Sequence, residues 1–392
     1  WETYAQQTLA AYRLAQTISV PKKQNSDKRR IFIDVSTLAY HSGVPTGISR
    51  VEAQLAKELG FLLGERVRYI YWVHRTQQFA EVARADVEKG TLKAMAGSDA
   101  ADAAAVQGYE LDIQKGDIVI SMGSAWMRNH LYVEDLSILK ITTGAVLVTM
   151  VHDVIQYKMQ ALYPGDISGI FIRNCDSFLR ASDAVLACSE QTKRDIRTFC
   201  LDKNIPIPPI NVFREGDEAS NTDPNAVLAR ETITDLDNKP FVLYVSSIDI
   251  RKNHRFLVEL WWKLFSEYGD EAPTLVLVGR IGWRGAEFFE LLDTHPEVQE
   301  KILHLQNIND LTLDWLYNHC LFTVYPSRYE GWGLPVAESL RRGKFCIASD
   351  GGSLSEVAPG YAEYIDPIDF IAWYDALVKY SFNHEALKAK EV

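Results

Sequence analysis

The stretch SRYEGWGLPVAESLRRG, residues 327–343, sets two carboxylates, Glu330 and Glu338, around a turn that holds two glycines and a proline. It follows the run LFTVY at 321–325, short and apolar, which reads as a buried strand. Pro335, with its fixed φ and missing N–H, suits the first helical position, and Gly343 suits the residue that closes the helix. The segment is therefore strand, loop and helix, with Glu330 in the loop and Glu338 about one turn inside the helix. That spacing does not put both acids on one helical face. Instead the backbone N–H groups of Gly331, Trp332, Gly333 and Leu334 converge at a helix N-terminus, where the dipole favours an anion.

The same rhythm repeats outward from this point. Strands are expected in the first half at IFIDV (31–35), YIYWV (69–73), DIVIS (117–121), AVLVTM (145–150) and AVLA (184–187). In the second half they are expected at FVLYV (241–245), LVLVG (275–279), ILHL (302–305) and FCIA (345–348). Short β-branched runs alternating with helix-period segments are the pattern of parallel sheets covered by helices on both faces. Residues 218–240 are acidic, polar and without strong apolar periodicity, and read as a linker. The expected organisation is an N-terminal helix and linker at 1–28, a first domain at 29–217, the linker at 218–240 and a second domain at 241–392. Both domains are expected to be α/β and doubly wound, with ligands at the carboxyl ends of the strands. At 392 residues and 47% apolar content the chain is long enough for two such cores.

Composition excludes several classes. A formal charge of −11 and a pI near 5.4 argue against a nucleic-acid partner, which would call for a basic stripe. The five cysteines fall at irregular spacings with no C-x-x-C pair, so neither a disulfide framework nor a metal site is expected. No apolar run approaches the roughly 20 residues of a spanning helix. A cytoplasmic protein is expected, with any membrane contact peripheral, at the inner face of the cytoplasmic membrane.

A helix N-terminus flanked by carboxylates asks for a phosphate carrying hydroxyl-rich groups on either side. A nucleotide sugar is such a molecule. The motif PSRYEGWGLPVAESL, with Glu330 and Glu338 in E-x7-E spacing, resembles the signature of retaining glycosyltransferase family 4. The resemblance implies the GT-B fold, two Rossmann-like domains facing across a cleft. It also implies that Glu330 contacts the donor sugar and Glu338 the nucleotide ribose.

Other stretches are similar to motifs of the same family. YVSSIDIRKNH at 244–254 follows a strand and resembles its phosphate-binding turn, in which Arg251, Lys252 and Asn253 would open a helix. Arg251 and Lys252 would neutralise the diphosphate there, one as a planar fork and the other as a compact charge. Ser246 and Ser247 stand where the commoner form has Gly-Arg, a variant similar to a subset rich in mannosyltransferases. In VPTGISRVEAQLAKEL at 44–59, Gly47 resembles the family's glycine loop and Thr46 is the expected N-cap. TMVHDVIQY at 149–157 places His152 at a strand's carboxyl end, resembling the family's His-Asp pair near the donor sugar. ACSEQTKRDI at 187–196 puts Ser189 near substrate by the same likeness, and DGGSLSEVAPG at 350–360 resembles a loop that follows the next strand.

The expected activity is retaining, metal-independent transfer of a hexose from a nucleotide sugar to a glycan acceptor, lipid-linked in the fullest form of the expectation. The donor expected from the Ser-Ser variant is GDP-mannose, which would be a substrate; no cofactor is expected. The acceptor is a growing O-antigen or capsule-type polysaccharide. The alternatives are a UDP-sugar or deoxyhexose (rhamnosyl) transferase and a non-catalytic binding or scaffold module. WETYAQQTLAAYRL at 1–14 is similar to the helix that closes a family 4 module, so the chain is expected to be one module of a tandem polypeptide.

Overall fold

The structure is a computed structural model that describes residues 29–41, 47–89, 111–127, 129–216, 228, 233–236 and 239–391. The helix expected within 1–28 and Thr46 lie outside the described residues. The chain divides into two compact units, between Gly216 and Asp217.

In the first unit, β1 (Ile31–Asp34), β2 (Val67–Val73), β3 (Gln78–Val82), β4 (Ile118–Ser121), β5 (Val146–Val151), β6 (Ala184–Ala187) and β7 (Ile210–Val212) form a seven-stranded sheet. Its order is β3-β2-β1-β4-β5-β6-β7. β1, β4, β5 and β6 are buried along their whole length, as expected of strands with a helical layer on each face. The pairings are parallel except that of β2 with β3. That exception corrects the all-parallel expectation. QFAEV at 78–82 lies at the sheet edge with uneven burial and no continuous apolar run, so it gave no strand signal. Trp126 stacks on Phe178 at 4.9 Å between centroids, inside the core on one side of this sheet.

In the second unit, β8 (Phe241–Val245), β9 (Thr274–Val278), β10 (Ile302–Leu305), β11 (Thr323–Tyr325), β12 (Cys346–Ser349) and β13 (Glu363–Ile365) form a parallel sheet in the order β10-β9-β8-β11-β12-β13. Alternate residues of β8 and β9 serve opposite faces, as the two-residue period of a strand requires. Val242, Tyr244, Leu275 and Leu277 pack with Trp261 and Trp373 of the helices His254–Tyr268 and Phe370–Phe382. Phe241, Leu243, Val276 and Val278 face the other layer, with Leu316 and Tyr317. Ile233 and Leu236, from the stretch expected as linker, are buried in that second layer. Full burial of each such aliphatic side chain is worth about 1.5–3 kcal/mol.

Candidate functional site

In the second sheet β8 and β11 are neighbours at the centre, and the chain winds away from them in opposite directions. The loops at their carboxyl ends therefore flank the switch point, where doubly wound sheets hold ligands. The Asp249 side chain accepts from the Arg251 N–H at 2.9 Å and sets up a 3-10 turn at Ile250–Lys252. Asn253 then adopts a left-handed conformation at φ 64°, and the helix begins only at His254. Arg251 and Lys252 thus sit in the turn ahead of the helix, not at its opening as the sequence implied. Ser247 lies half-buried in the same loop.

From the β11 loop Glu330 points back at this turn. Its Oε1 is 2.7 Å from Arg251 Nη1 and 2.5 Å from Lys252 Nζ. Ser327 Oγ donates to the same oxygen at 2.6 Å and Tyr325 Oη at 3.3 Å. All these contacts converge on Oε1. Arg251 Nη1 also donates to the Tyr329 carbonyl at 2.6 Å, and Lys252 Nζ to Tyr325 Oη at 2.8 Å. The three charged side chains are 15%, 12% and 9% exposed, so their interactions act in a low dielectric. Burial would raise the Glu330 carboxyl, yet Arg251 and Lys252 outweigh it and bring the pKa down to about 2. Burial, seconded by Arg251, lowers Lys252 although Glu330 pulls the other way.

The Glu330 backbone is held from β12. Its N–H donates to the Gly351 carbonyl at 3.3 Å, and its own carbonyl accepts from Ser353 N at 3.0 Å and Ser353 Oγ at 3.0 Å. Gly352, at φ 72°, lies against Glu330 closely enough that a Cβ would come within 2.8 Å of the Glu330 nitrogen. The loop at 350–360 is thus a clasp on the catalytic candidate.

The helix Leu334–Arg341 follows with Pro335 in its first turn and Gly333, at φ 145°, as its N-cap. Gly331, Trp332 and Gly333 are buried, Leu334 half-buried, and the Trp332 indole Nε1–H has no acceptor within the described residues. Glu338 is buried on that helix and its Oε2 accepts from Tyr317 Oη at 3.1 Å.

The remaining candidates belong to the first unit. Gly47, at φ 51°, is itself the N-cap of the helix Ile48–Leu63, which corrects the assignment of the cap to Thr46. His152 follows β5 and is buried. Its Nδ1 lies 2.7 Å from Glu215 Oε1 and its Nε2 2.7 Å from the Met122 carbonyl oxygen. Burial would lower the imidazole pKa, yet Glu215, the Met122 carbonyl and Asp153 together hold it above its ordinary value. Ser189 is spent as the N-cap of the helix Glu190–Asp202, accepting from Thr192 N at 2.9 Å.

The second unit therefore brings Arg251, Lys252 and Glu330 into one cluster, with Gly331 to Glu338 continuing from it, while Gly47 and His152 stand in the first unit. The sequence reading gave Ser327, Tyr325 and Tyr317 no role, although Ser327 lies within the motif and Tyr325 directly before it. Glu215 gave no signal, because its partner lies 63 residues away.

Residues 229–364 match the family model for glycosyl transferases group 1, and the chain carries a domain of that family. It is 24% identical over 349 residues to the serotype-specific mannosyltransferase WbdA of Escherichia coli, covering 86% of this chain and 40% of that protein. It is 33% identical over 129 residues to the O-antigen chain mannosyltransferase B of Escherichia coli, covering 33% of each. The chain thus spans about two fifths of the length of WbdA. Among solved structures, sucrose-phosphate synthase from Thermosynechococcus elongatus matches with a TM-score of 0.61 at 16% identity over 92% of both chains. The fold is that of the GT-B glycosyltransferases.

Proposed function

We propose that the chain is a retaining hexosyltransferase that moves mannose from GDP-mannose to a growing O-antigen or capsule-type polysaccharide. The observation that carries this reading is the convergence of Arg251 and Lys252 on Oε1 of Glu330 at the β8–β11 switch point. A carboxylate fixed through one oxygen presents the other to a sugar hydroxyl. The two cations that fix it lie where a diphosphate would meet them. Glu338, on the following helix, would accept from the ribose hydroxyls, and the Leu334–Arg341 helix end would face the phosphates with the N–H groups of Gly331 to Leu334. The mannosyl donor is supported by the Ser246-Ser247 variant and by the names of the related bacterial proteins. The length of WbdA leaves room for more than one unit pair of this size, so the chain is read as one module of a tandem protein with a glycan, lipid-linked acceptor.

Transfer would be a front-face reaction. The bond from the anomeric carbon to the diphosphate oxygen breaks, the acceptor hydroxyl oxygen bonds to the same face, and the acceptor proton goes to the departing diphosphate. The protein's share is positioning and stabilisation of charge that builds on the leaving group, supplied by Arg251, Lys252 and the helix end. Two cations already in place perform the neutralisation that a divalent ion performs elsewhere. Metal independence follows from that placement as an expectation.

The test is calorimetric binding and slow hydrolysis of GDP-mannose, UDP-glucose, UDP-N-acetylglucosamine and dTDP-rhamnose in excess EDTA. GDP-mannose alone should bind and turn over. Turnover of a different donor would replace the mannosyl assignment, a requirement for added manganese would overturn metal independence, and binding of none would leave a scaffold module.

A further inference from the structure

A groove of about 510 Å³ opens in the second unit beside the turn that carries Arg251 and Lys252. Its size lies within the roughly 300–1,000 Å³ of small-molecule sites. Its walls come from that turn, the start of the helix His254–Tyr268, the segment at 284–288, Arg328 of the β11 loop and the segment at 367–370. Two wall residues other than glycine hold a left-handed backbone, Asn253 at φ 64° and Arg284 at φ 53°, a conformation that costs energy and collects at ligand sites. Asn253 joins the walls. It directly follows Lys252, donates from Nδ2 to the Pro367 carbonyl at 3.0 Å and accepts from Arg328 Nε at 3.2 Å, while Arg328 N donates to the Arg251 carbonyl at 2.9 Å.

The chemistry of the lining selects a class of ligand. Arg255, Arg284 and Arg328 stand against Asp249, Glu259 and Glu287, three charges of each sign. An ion of either sign would meet as many like charges as opposite ones, and an apolar ligand would strip water from all six. What these groups offer is directed hydrogen bonds of both kinds. Of the Arg328 guanidinium only Nε is bonded among the described residues. Arg255 has only Glu287, at 3.8 Å, beyond hydrogen-bond distance. The Glu259 carboxylate has no partner among the described residues, and all three side chains stand on exposed residues. Phe256 and Phe370, half-buried with ring centroids 5.9 Å apart, add apolar ring surface. A neutral molecule with hydroxyls on adjacent carbons and an apolar C–H face matches this lining. Its hydroxyl hydrogens go to carboxylates, its hydroxyl oxygens to guanidinium groups and its C–H face to the rings. A pyranose is such a molecule.

We propose that this groove is a saccharide-binding site, holding a sugar unit of a glycan chain beside the Arg251, Lys252 and Glu330 cluster. That the glycan is the acceptor of the reaction rests on the reading of the chain as a glycosyltransferase; the match of the groove to a saccharide rests on its lining alone. All of its residues belong to the second unit. A polymer held here stays near the cluster between successive transfers, because a tethered end is presented at a raised effective concentration.

The experiment titrates the full chain with mannotetraose, cellotetraose, inorganic phosphate and free glycine, followed by NMR, for the wild type, Arg255→Ala and Glu259→Gln. Both substitutions fall on exposed helix positions, and circular dichroism checks the fold. Mannotetraose should bind the wild type and lose about tenfold in affinity in each variant, the scale of one hydrogen bond to a charged group. Binding that both folded variants leave unchanged lies elsewhere and overturns the proposal, as does the failure of both saccharides to bind. Displacement of the saccharide by phosphate or glycine at millimolar concentration overturns it in favour of an ion or zwitterion site. Cellotetraose bound in place of mannotetraose, and weakened by both substitutions, upholds the saccharide site and overturns the mannan acceptor. Donor turnover, measured separately, decides the transferase reading without reference to the groove.

Discussion

Glu330 is the residue on which opposing effects can be weighed. Burial works against its charge, two cations work for it, and the cations win, which leaves the carboxyl at about 2 against an ordinary 4.5. A folded-state value below the unfolded one means that the stabilisation is complete above about pH 4.5 and is lost as pH falls toward 2. The urea midpoint of the wild type should therefore drop more steeply across that window than the midpoint of Glu330→Gln, which has nothing to titrate there. Parallel slopes would show that the triad does not hold its charge. The variant should also be less stable at neutral pH by roughly 3–5 kcal/mol, because two buried cations lose their partner. The sequence placed the two acids correctly relative to strand and helix, whereas the two cations lie in the turn before the helix they were expected to open. It could not show that Arg251, Lys252 and Glu330 neutralise one another, since the pairing crosses 78 residues and depends on β8 and β11 being neighbours.

At the scale of elements, the site is a loop gripped by another loop. Gly352 sits at φ 72° against the Glu330 backbone, so Gly352→Ala meets both an unfavourable backbone region and a contact with no room to relax. It should cost about 1–3 kcal/mol in thermal unfolding and weaken donor binding at least tenfold by calorimetry. Unchanged affinity would mean that the clasp does not position Glu330. The strands that make this arrangement were readable where both faces are buried, because a run such as FVLYV is apolar throughout. β3, β7 and β13 went unread for the opposite reason. They are sheet-edge strands of three to five residues, half-buried, with little apolar signal to distinguish them from loops. Helix starts were blurred by local chemistry: a left-handed Asn253 delays one helix past Arg251 and Lys252, and Gly47 takes a cap expected of Thr46.

For the whole molecule, the two doubly wound units follow from the alternation of strand and helix, and the parallel order of the second sheet, and of the first apart from the antiparallel β2–β3 pair, follows from crossovers longer than any hairpin allows. What the pattern withheld was chemistry assembled across distance. Glu215 joins His152 from beyond β7, and Tyr317 reaches Glu338 from the helix Asp310–His319. Retaining transfer from GDP-mannose through Glu330 is the central claim, and one measurement bears on it most directly. GDP release and the anomeric configuration of the glycan product are followed by NMR with GDP-mannose and an oligomannoside acceptor, for the wild type and Glu330→Gln. The account predicts a product with the donor's own anomeric configuration and a loss of about 10²–10³ in turnover for the variant, the scale of one lost transition-state contact. An inverted product, or a Glu330→Gln protein that turns over as the wild type does, would contradict it.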